Sequence, residues 1–548
     1  MRRSSLAALV AALCFLAAVH HSDVSGQADS SKLTTVLADL ARAVPQDSTS
    51  IQSQRTTSSA PLAADTLPKS VRDAIGGRKL RIDADNQVQV YVLMQAVTEE
   101  NLRRLGAAGA HVEIADAGRR RVQARIPVAR LEAIAALPFV DFIRLPNYAV
   151  RHIGSTTTEG DAILHSDAVR RQLGLDGAGV KVGVISDGIK GVFATSCTTC
   201  AGVSGGPIAT GDLPDASGTR NSRGVLTAST GGIAGRSFQA NGDLEGLPNG
   251  ACAFPGAGAE GTALLEIVHD VAPGAQLAFA NADTDLTFNQ AVNFLASSND
   301  VVVDDLGFFG EAYDGTSTVS SNTAAALNNS ANRIRTYVTS VGNSADEHYI
   351  GAYTDSGVDG RSISGITTSG RLHLFRQTGD TTDVLALGPQ PHNVVLLPTG
   401  GEAAVFLSWD DPAGGSANNY DLYLVQQSTG RVVARGTDVQ NGRQDPQEFV
   451  DYTNTGSQDY FRIVVQNVAD QAAPKTLNLF SFAPECAAAG PRTLAPNHHE
   501  RHNFNTASRS VSAQSDSGGS PVSVISVGAI CSASAAAASV GFSVPDES

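Results

Sequence analysis

From Val180 to Ile185 the chain reads Val-Lys-Val-Gly-Val-Ile, entered through Gly177-Ala178-Gly179 and left through Ser186-Asp187-Gly188. A nearly continuous apolar run between glycines predicts a strand buried on both faces of a parallel sheet. The fold class is therefore α/β, with helices covering the sheet. The carboxylate Asp187 falls at the carboxyl end of this strand, where open α/β sheets bind ligands. Taken by itself, the segment also suits a plain buried strand whose aspartate caps the next helix.

Four later segments narrow the choice. Glu260-Gly261-Thr262 opens a helical stretch that runs on to Val271-Ala272-Pro273-Gly274-Ala275. Asn299 to Gly307 and Tyr337 to Ser344 each carry a Val-rich run that ends in polar residues, and Val522 to Ile530 forms another apolar run. In this order, together with the Asp187 segment, they resemble the subtilisin-like serine proteases, or subtilases. The resemblance covers residues 160 to 365 and returns near 520. It implies a parallel sheet with helices on both faces and proteolysis through a covalent acyl-enzyme. Asp187 stands at the position of the catalytic aspartate, Glu260 at the position of the catalytic histidine, and Asn343 at the position of the side chain that donates to the oxyanion.

Two departures limit that transfer. Glu260 replaces a histidine, and a glutamate serves as general base only where its pKa is arranged for it, through burial or a neighbouring carboxylate such as Asp187. A Glu, Asp and Ser triad is found in the sedolisins, relatives with the same fold that work in acid, although their Glu and Asp spacing on one helix is not matched here. His269 lies nine residues on, at the far end of the same helix, and does not replace Glu260. The second departure is the nucleophile. The only Gly-Thr-Ser in the chain, Gly315-Thr316-Ser317, precedes Asn343 and lacks the family's following proline, so it reads as a helix start capped by polar residues. No serine segment follows Ile530 before Ser548, and the chain is expected to be a truncated product without peptidase activity.

Hydrophobic content of 42% and charged content of 17% place the chain among globular proteins, and a net charge of −15 disfavours nucleic acid as a partner. Arg2-Arg3 precede an apolar run from Leu6 to Val19, too short to span a bilayer comfortably, so residues 1–27 are predicted to be a signal peptide. The expected protein is secreted or extracytoplasmic, has no membrane span once that segment is removed, is monomeric and takes a polypeptide substrate. Cys14 lies in the signal segment, and five cysteines remain (Cys197, Cys200, Cys252, Cys486 and Cys531). Cys197-Thr-Thr-Cys200 reads as a disulfide rather than a metal clasp, and the odd number implies one unpaired thiol or a partner lost with the expected missing end.

The remaining segments complete the division. Residues 28–77 read as a flexible linker with one helical stretch near Leu33 to Val44. Residues 78–150 read in the order β-α-β-β-α-β, a ferredoxin-like unit that resembles subtilase propeptides. Its Arg119-Arg120-Arg121 run reads as a solvated hairpin turn. Residues 366–482 alternate apolar and polar positions in short strands, which predicts a β-sandwich inserted in the α/β domain with Trp409 in its core. Residues 483–548 return to the α/β domain. No cofactor is expected. A calcium or carbohydrate site around Asp410, Asp411 and Asp421 is a candidate, and a metal held by His498, His499, Glu500 and His502 is a weaker one. The leading reading is a secreted serine endopeptidase of subtilase type. A pseudoprotease that binds polypeptide or glycan, and a sedolisin-like Glu/Asp/Ser mechanism, are the alternatives.

Overall fold

The computed structural model describes residues 32–44, 62, 66–76, 79–83, 85–146, 150–151, 160–192, 207–210, 212–214, 219–220, 225–227, 232–239, 242–245, 258–342, 348–375, 391–482, 498–500 and 524–528. The six cysteines, the signal-like segment, Asn343 and His502 lie outside these residues.

Helices α1 (Thr35–Ala43) and α2 (Lys69–Gly76) lead into strand β1 (Gln87–Met94). Helix α3 (Glu99–Ala107), strands β2 (His111–Asp116) and β3 (Arg121–Pro127), helix α4 (Leu131–Ala135) and strand β4 (Val140–Arg144) complete a first unit. Its strands form an antiparallel sheet in the order β2-β3-β1-β4. The period-2 sequence of β1 divides its side chains between two faces. Val88, Val90, Val92 and Met94 pack in a core with Leu37 and Leu40 of α1 and Val71 of α2. Residues 35–43 and 69–76 therefore belong to this core and are not linker, because their apolar faces complete it. Tyr91 and Leu93 point the other way and meet Leu286 of the next unit.

That unit begins with β5 (Val150–Arg151), α5 (Gly160–Ile163), α6 (Ser166–Leu173) and β6 (Lys181–Ser186). It continues through α7 (Pro207–Thr210), β7 (Thr219–Arg220), β8 (Val225–Thr227), β9 (Ala234–Ser237), α8 (Glu260–Val271) and β10 (Gln276–Asn281). Then follow α9 (Asp285–Ser298), β11 (Val301–Asp304), β12 (Leu306–Gly307), α10 (Thr318–Asn328) and β13 (Thr336–Ser340).

The all-β unit comprises β14 (His348–Ala352), β15 (Asp355–Asp359), β16 (Arg371–His373), β17 (Asn393–Leu397), β18 (Glu402–Trp409) and β19 (Tyr420–Gln426). It ends with β20 (Arg431–Gly436), β21 (Gln447–Thr453), β22 (Asp459–Asn467), β23 (Thr476–Phe482) and β24 (His498–Glu500). One sheet runs β14-β23-β18-β21, and the other runs β15-β16-β22-β17-β24 with β19 beside β22 and β20 beside β19. They share a core containing Leu407, Trp409, Leu422, Phe461 and Leu479. Trp409, 1% exposed, donates its indole N–H to Ser416 Oγ at 3.0 Å, which satisfies its one polar group. The sequence division at residue 366 needs moving: β14 pairs with β23 and β15 with β16, so both strands belong here.

Strand β25 (Ile525–Val527) returns beside β13 and completes an eight-stranded sheet, β25-β13-β11-β6-β10-β9-β8-β7. The pairs from β25 through β9 are parallel. Alternate residues of the β6 run feed two cores. Ile185 packs with Phe288 and Val292 of α9 on one face, and Val184 packs with Leu265 of α8 on the other. The sheet is thus parallel in its middle with helices on both faces.

The three units meet around Arg121, which is not the solvated turn residue its sequence suggests. Its guanidinium bonds Asp285 Oδ2 and Asp445 Oδ2, both at 3.0 Å, and Arg144 reaches the same Asp445 oxygen at 2.9 Å. Arginine's planar fork can serve two carboxylates at once, a capacity that an exposed turn residue would leave unused.

Candidate functional site

Beside one another in the sheet, β6 and β11 send their following connections in opposite directions. From β6 the chain crosses to the β9 side, and from β11 it crosses to the β13 side. Such a reversal opens a crevice beyond the carboxyl ends of the two strands, the place where α/β sheets bind ligands. Asp187 follows β6 directly, Asp305 follows β11 directly, and Glu260 is the first residue of α8.

Asp187, 3% exposed, accepts a hydrogen bond at Oδ2 from the backbone N–H of Gly258 at 2.8 Å. Its carbonyl takes Gln239 Nε2 at 3.2 Å and Asn281 Nδ2 at 3.4 Å. Ser186 Oγ donates to Glu260 Oε2 at 2.8 Å, so the last residue of β6 holds the first side chain of α8. The approach of helix to strand is close enough to require Gly261, where a Cβ would stand 2.5 Å from the carbonyl oxygen of Gly188 and 2.5 Å from the Phe279 ring. Glycine here lets α8 seat its start against the Asp187 turn.

Three carboxylates in one crevice cannot all ionise cheaply. Burial, then the charges of Asp187 and Asp305, push the Glu260 carboxyl up to about 9, against the lowering effect of the Ser186 hydrogen bond. Asp305 also takes part in a hydrogen bond with Glu260 that favours the protonated form. Neither Glu260 Oε1 nor Asp305 Oδ1 has another donor among the described residues, so a proton carried between them satisfies both oxygens. At neutral pH Glu260 therefore holds its proton, and the group can donate one or, once ionised, accept one.

Asp187 and Glu260 thus come together, while Asn343 lies outside the described residues, as do the histidine and cysteine ligand sets apart from the backbone of β24. His269 sits in the last turn of α8, away from this cluster. Asp305 is the residue that sequence reasoning passed over. Its only signal was the tandem Asp304-Asp305 at the end of an apolar run. The two diverge in the structure, Asp304 being turned to Thr339 Oγ1 at 3.2 Å and the Leu306 N–H at 3.2 Å. At the calcium candidate, Asp411 already holds Lys475 Nζ at 2.8 Å along with Asn418 Nδ2 at 2.9 Å, and Asp421 accepts from Tyr423 OH at 2.7 Å. The charge facing Asp411 is the Lys475 ammonium.

Ser317 is fully buried and caps α10, accepting from the Ser320 N–H at 3.1 Å. Its hydroxyl is engaged in the fold as a helix cap. Ser317→Ala is expected to lower stability by about 1 kcal/mol, read as a shift in urea midpoint. It should leave reaction with a fluorophosphonate probe unchanged, and labelling lost with this hydroxyl would make it a nucleophile after all.

No family model matches the chain, and no curated protein matches it. Among solved structures it is similar to the CspB protease of Clostridium perfringens, at 12% identity and a TM-score of 0.31, covering 61% of this chain and 68% of that one. It is similar to the epidermin leader peptide processing serine protease EpiP of Staphylococcus aureus, at 12% identity and 0.28, over 47% of this chain and 61% of that one. Fervidolysin of Fervidobacterium pennivorans, a keratinolytic enzyme related to subtilisin, matches at 12% identity and 0.27, over 68% and 77%. Likeness at this level carries no argument about function, and the chemistry of the crevice has to supply one.

Proposed function

We propose that the chain carries the acid–base half of a secreted, subtilase-type serine endopeptidase. The observation that supports it is the meeting of Asp187, Glu260 and Asp305 at the strand reversal, with Ser186 holding Glu260 by a hydrogen bond. In this reading Glu260 takes the proton from a serine outside the described residues and returns it to the leaving amine. Asp187 stabilises the charge around it, and Asn343 donates to the oxyanion. The first unit serves as a propeptide-like inhibitor and the all-β unit as an insertion. Support for the first role comes from β5, the extended stretch that follows the first unit in the chain, which pairs antiparallel with β12, Val150 opposite Gly307 and Arg151 opposite Leu306. An extended segment added to the edge next to Asp305 lies as a polypeptide substrate would.

The pKa of Glu260 separates the mechanisms. A base that ionises near 9 gives a rate rising from neutral pH toward 9, whereas a sedolisin-like centre working in acid needs Glu260 ionised well below 7. A fluorophosphonate probe, applied to the chain and to any longer product of its reading frame, should label a serine other than Ser317, faster as pH rises. Glu260→Gln should slow that labelling by about 10³-fold or more. Labelling that survives this substitution, or a maximum near pH 4, would exclude Glu260 as a base with the stated pKa. A second reading, a binding protein that does not cut, is favoured by the burial of Ser317. Absence of labelling in every product would establish it.

A further inference from the structure

A cavity that the proposed reaction does not use lies where the three units meet. Its walls include Lys79 of the first unit, Phe309 of the α/β unit, and Phe406 with Gln447 to Phe449 of the all-β unit. Its enclosed space is about 70 Å³, with an open mouth in front of it. The rings form a continuous apolar wall, with Phe309 and Phe406 centroids 6.0 Å apart and Phe406 and Phe449 centroids 4.7 Å apart.

Against that wall stands a cation. Lys79 Nζ lies 4.5 Å from the Phe406 centroid and 5.9 Å from that of Phe449. Burial draws its pKa down to about 8 in spite of the opposing charge of Asp451, so the ammonium is desolvated but still charged at neutral pH. No hydrogen bond or ion pair reaches it among the described residues. Elsewhere on the lining, Gln447 Oε1 and Glu448 Oε2 are buried without a donor among the described residues. Glu448's other oxygen is occupied by the Asp438 N–H at 2.8 Å and Gln440 Nε2 at 3.0 Å. Two such acceptors need donors, which water entering by the mouth supplies and a carboxylate does not. Water alone would satisfy the oxygens and leave the three rings and the cation facing it.

We infer that this cavity binds a small apolar carboxylate, its anionic group on Lys79 and its aryl or branched-alkyl body against Phe309, Phe406 and Phe449. The ligand chemistry is shared by free carboxylic acids and by the carboxyl-terminal residue of a short peptide. Because all three units line the cavity, occupancy favours the docked arrangement over an open one. The inference stands apart from the peptidase reading and does not depend on Glu260.

Calorimetric titration of the full chain with 3-phenylpropionate, alanyl-phenylalanine and phenethylamine tests it. The acid should bind and phenethylamine, which lacks the carboxylate, should not. Lys79→Met should weaken the acid at least about tenfold, the loss of one charge-assisted contact. Val36→Phe, which fills the cavity from the α1 side, should abolish binding and keeps the test valid should the Lys79 variant misfold. Dipeptide binding as tight as that of the acid identifies peptide termini as the source, and binding of the acid alone identifies free acids. Phenethylamine binding as well as the acid, indifference to Lys79→Met in a folded protein, or no binding of any carboxylate up to about 10 mM overturns the inference.

Discussion

Arg121→Met is expected to weaken the docking of the three units by about 3–5 kcal/mol, the cost of stripping one partner from a buried ion cluster. The Arg121 side chain is 5% exposed, and its partners Asp285 and Asp445 are 0% and 7% exposed. Besides those two carboxylates it donates to Thr318 Oγ1 at 3.1 Å. Its guanidinium and that of Arg144 each lie 5.0 Å from the Tyr91 ring centroid, and the Tyr91 hydroxyl donates to Asp285. Two guanidinium groups thus face three carboxylates, since Glu311 acts on both Asp285 and Arg144. Burial and then Glu311 raise Asp285 well above its ordinary value. Burial opposes ionisation of Asp445 as well, but Arg121 and Arg144 together hold its carboxyl below the usual range. Without Arg121, Asp445 keeps one cation and Asp285 loses the guanidinium that faces it. Trp409, the single tryptophan, reports on the all-β unit, so urea melts followed by its fluorescence should move to lower denaturant. Arg121→Lys should recover only part of the loss, because a point charge cannot serve both carboxylates in the same geometry. A variant within about 0.5 kcal/mol of the parent would show the cluster to be incidental.

The range of an interaction decided whether it could be read in the sequence. The Val180 to Ile185 run was legible because both faces of that strand are buried, which needs apolar residues along most of it and allows Gly183 where the backbone is pressed against Leu295. Trp409 was legible because a lone large ring on an alternating strand has few places to go except a core. Ser317 was legible as a cap because its partner is three residues away. Arg121 was not. Its partners lie 164 and 324 residues distant, and locally it is one of three arginines at a hairpin. The β5–β12 ladder holds two residue pairs and has no apolar pattern to announce it. Asp305 was hidden for a different reason. Tandem aspartates at a strand end look alike in sequence, and only the pleat sends one to Thr339 and the other toward Glu260.

Glu260→Gln is expected to stabilise the chain at pH 8 while removing the acid–base function proposed for the residue. In the unfolded chain Glu260 ionises near 4.5, and in the folded one the carboxyl keeps its proton until about pH 9. The folded state therefore binds the extra proton throughout that window. Its contribution to stability is fully present below pH 4.5 and is lost as pH rises toward 9, at up to about 1.4 kcal/mol per pH unit. Glutamine has the same shape and no charge. Its carbonyl can accept from Ser186 Oγ, and its amide can donate to Asp305 Oδ1, where the parent needs a proton in place. The variant should thus gain about 5 kcal/mol over the parent at pH 8, and the two should converge near pH 4. Thermal scans at both pH values measure the difference. A glutamine variant less stable than the parent at pH 8 would mean that Glu260 is ionised in the folded chain, paired with a cation outside the described residues. Stability gained where acid–base function is lost is the signature of a carboxyl kept in an unfavourable place for its chemistry.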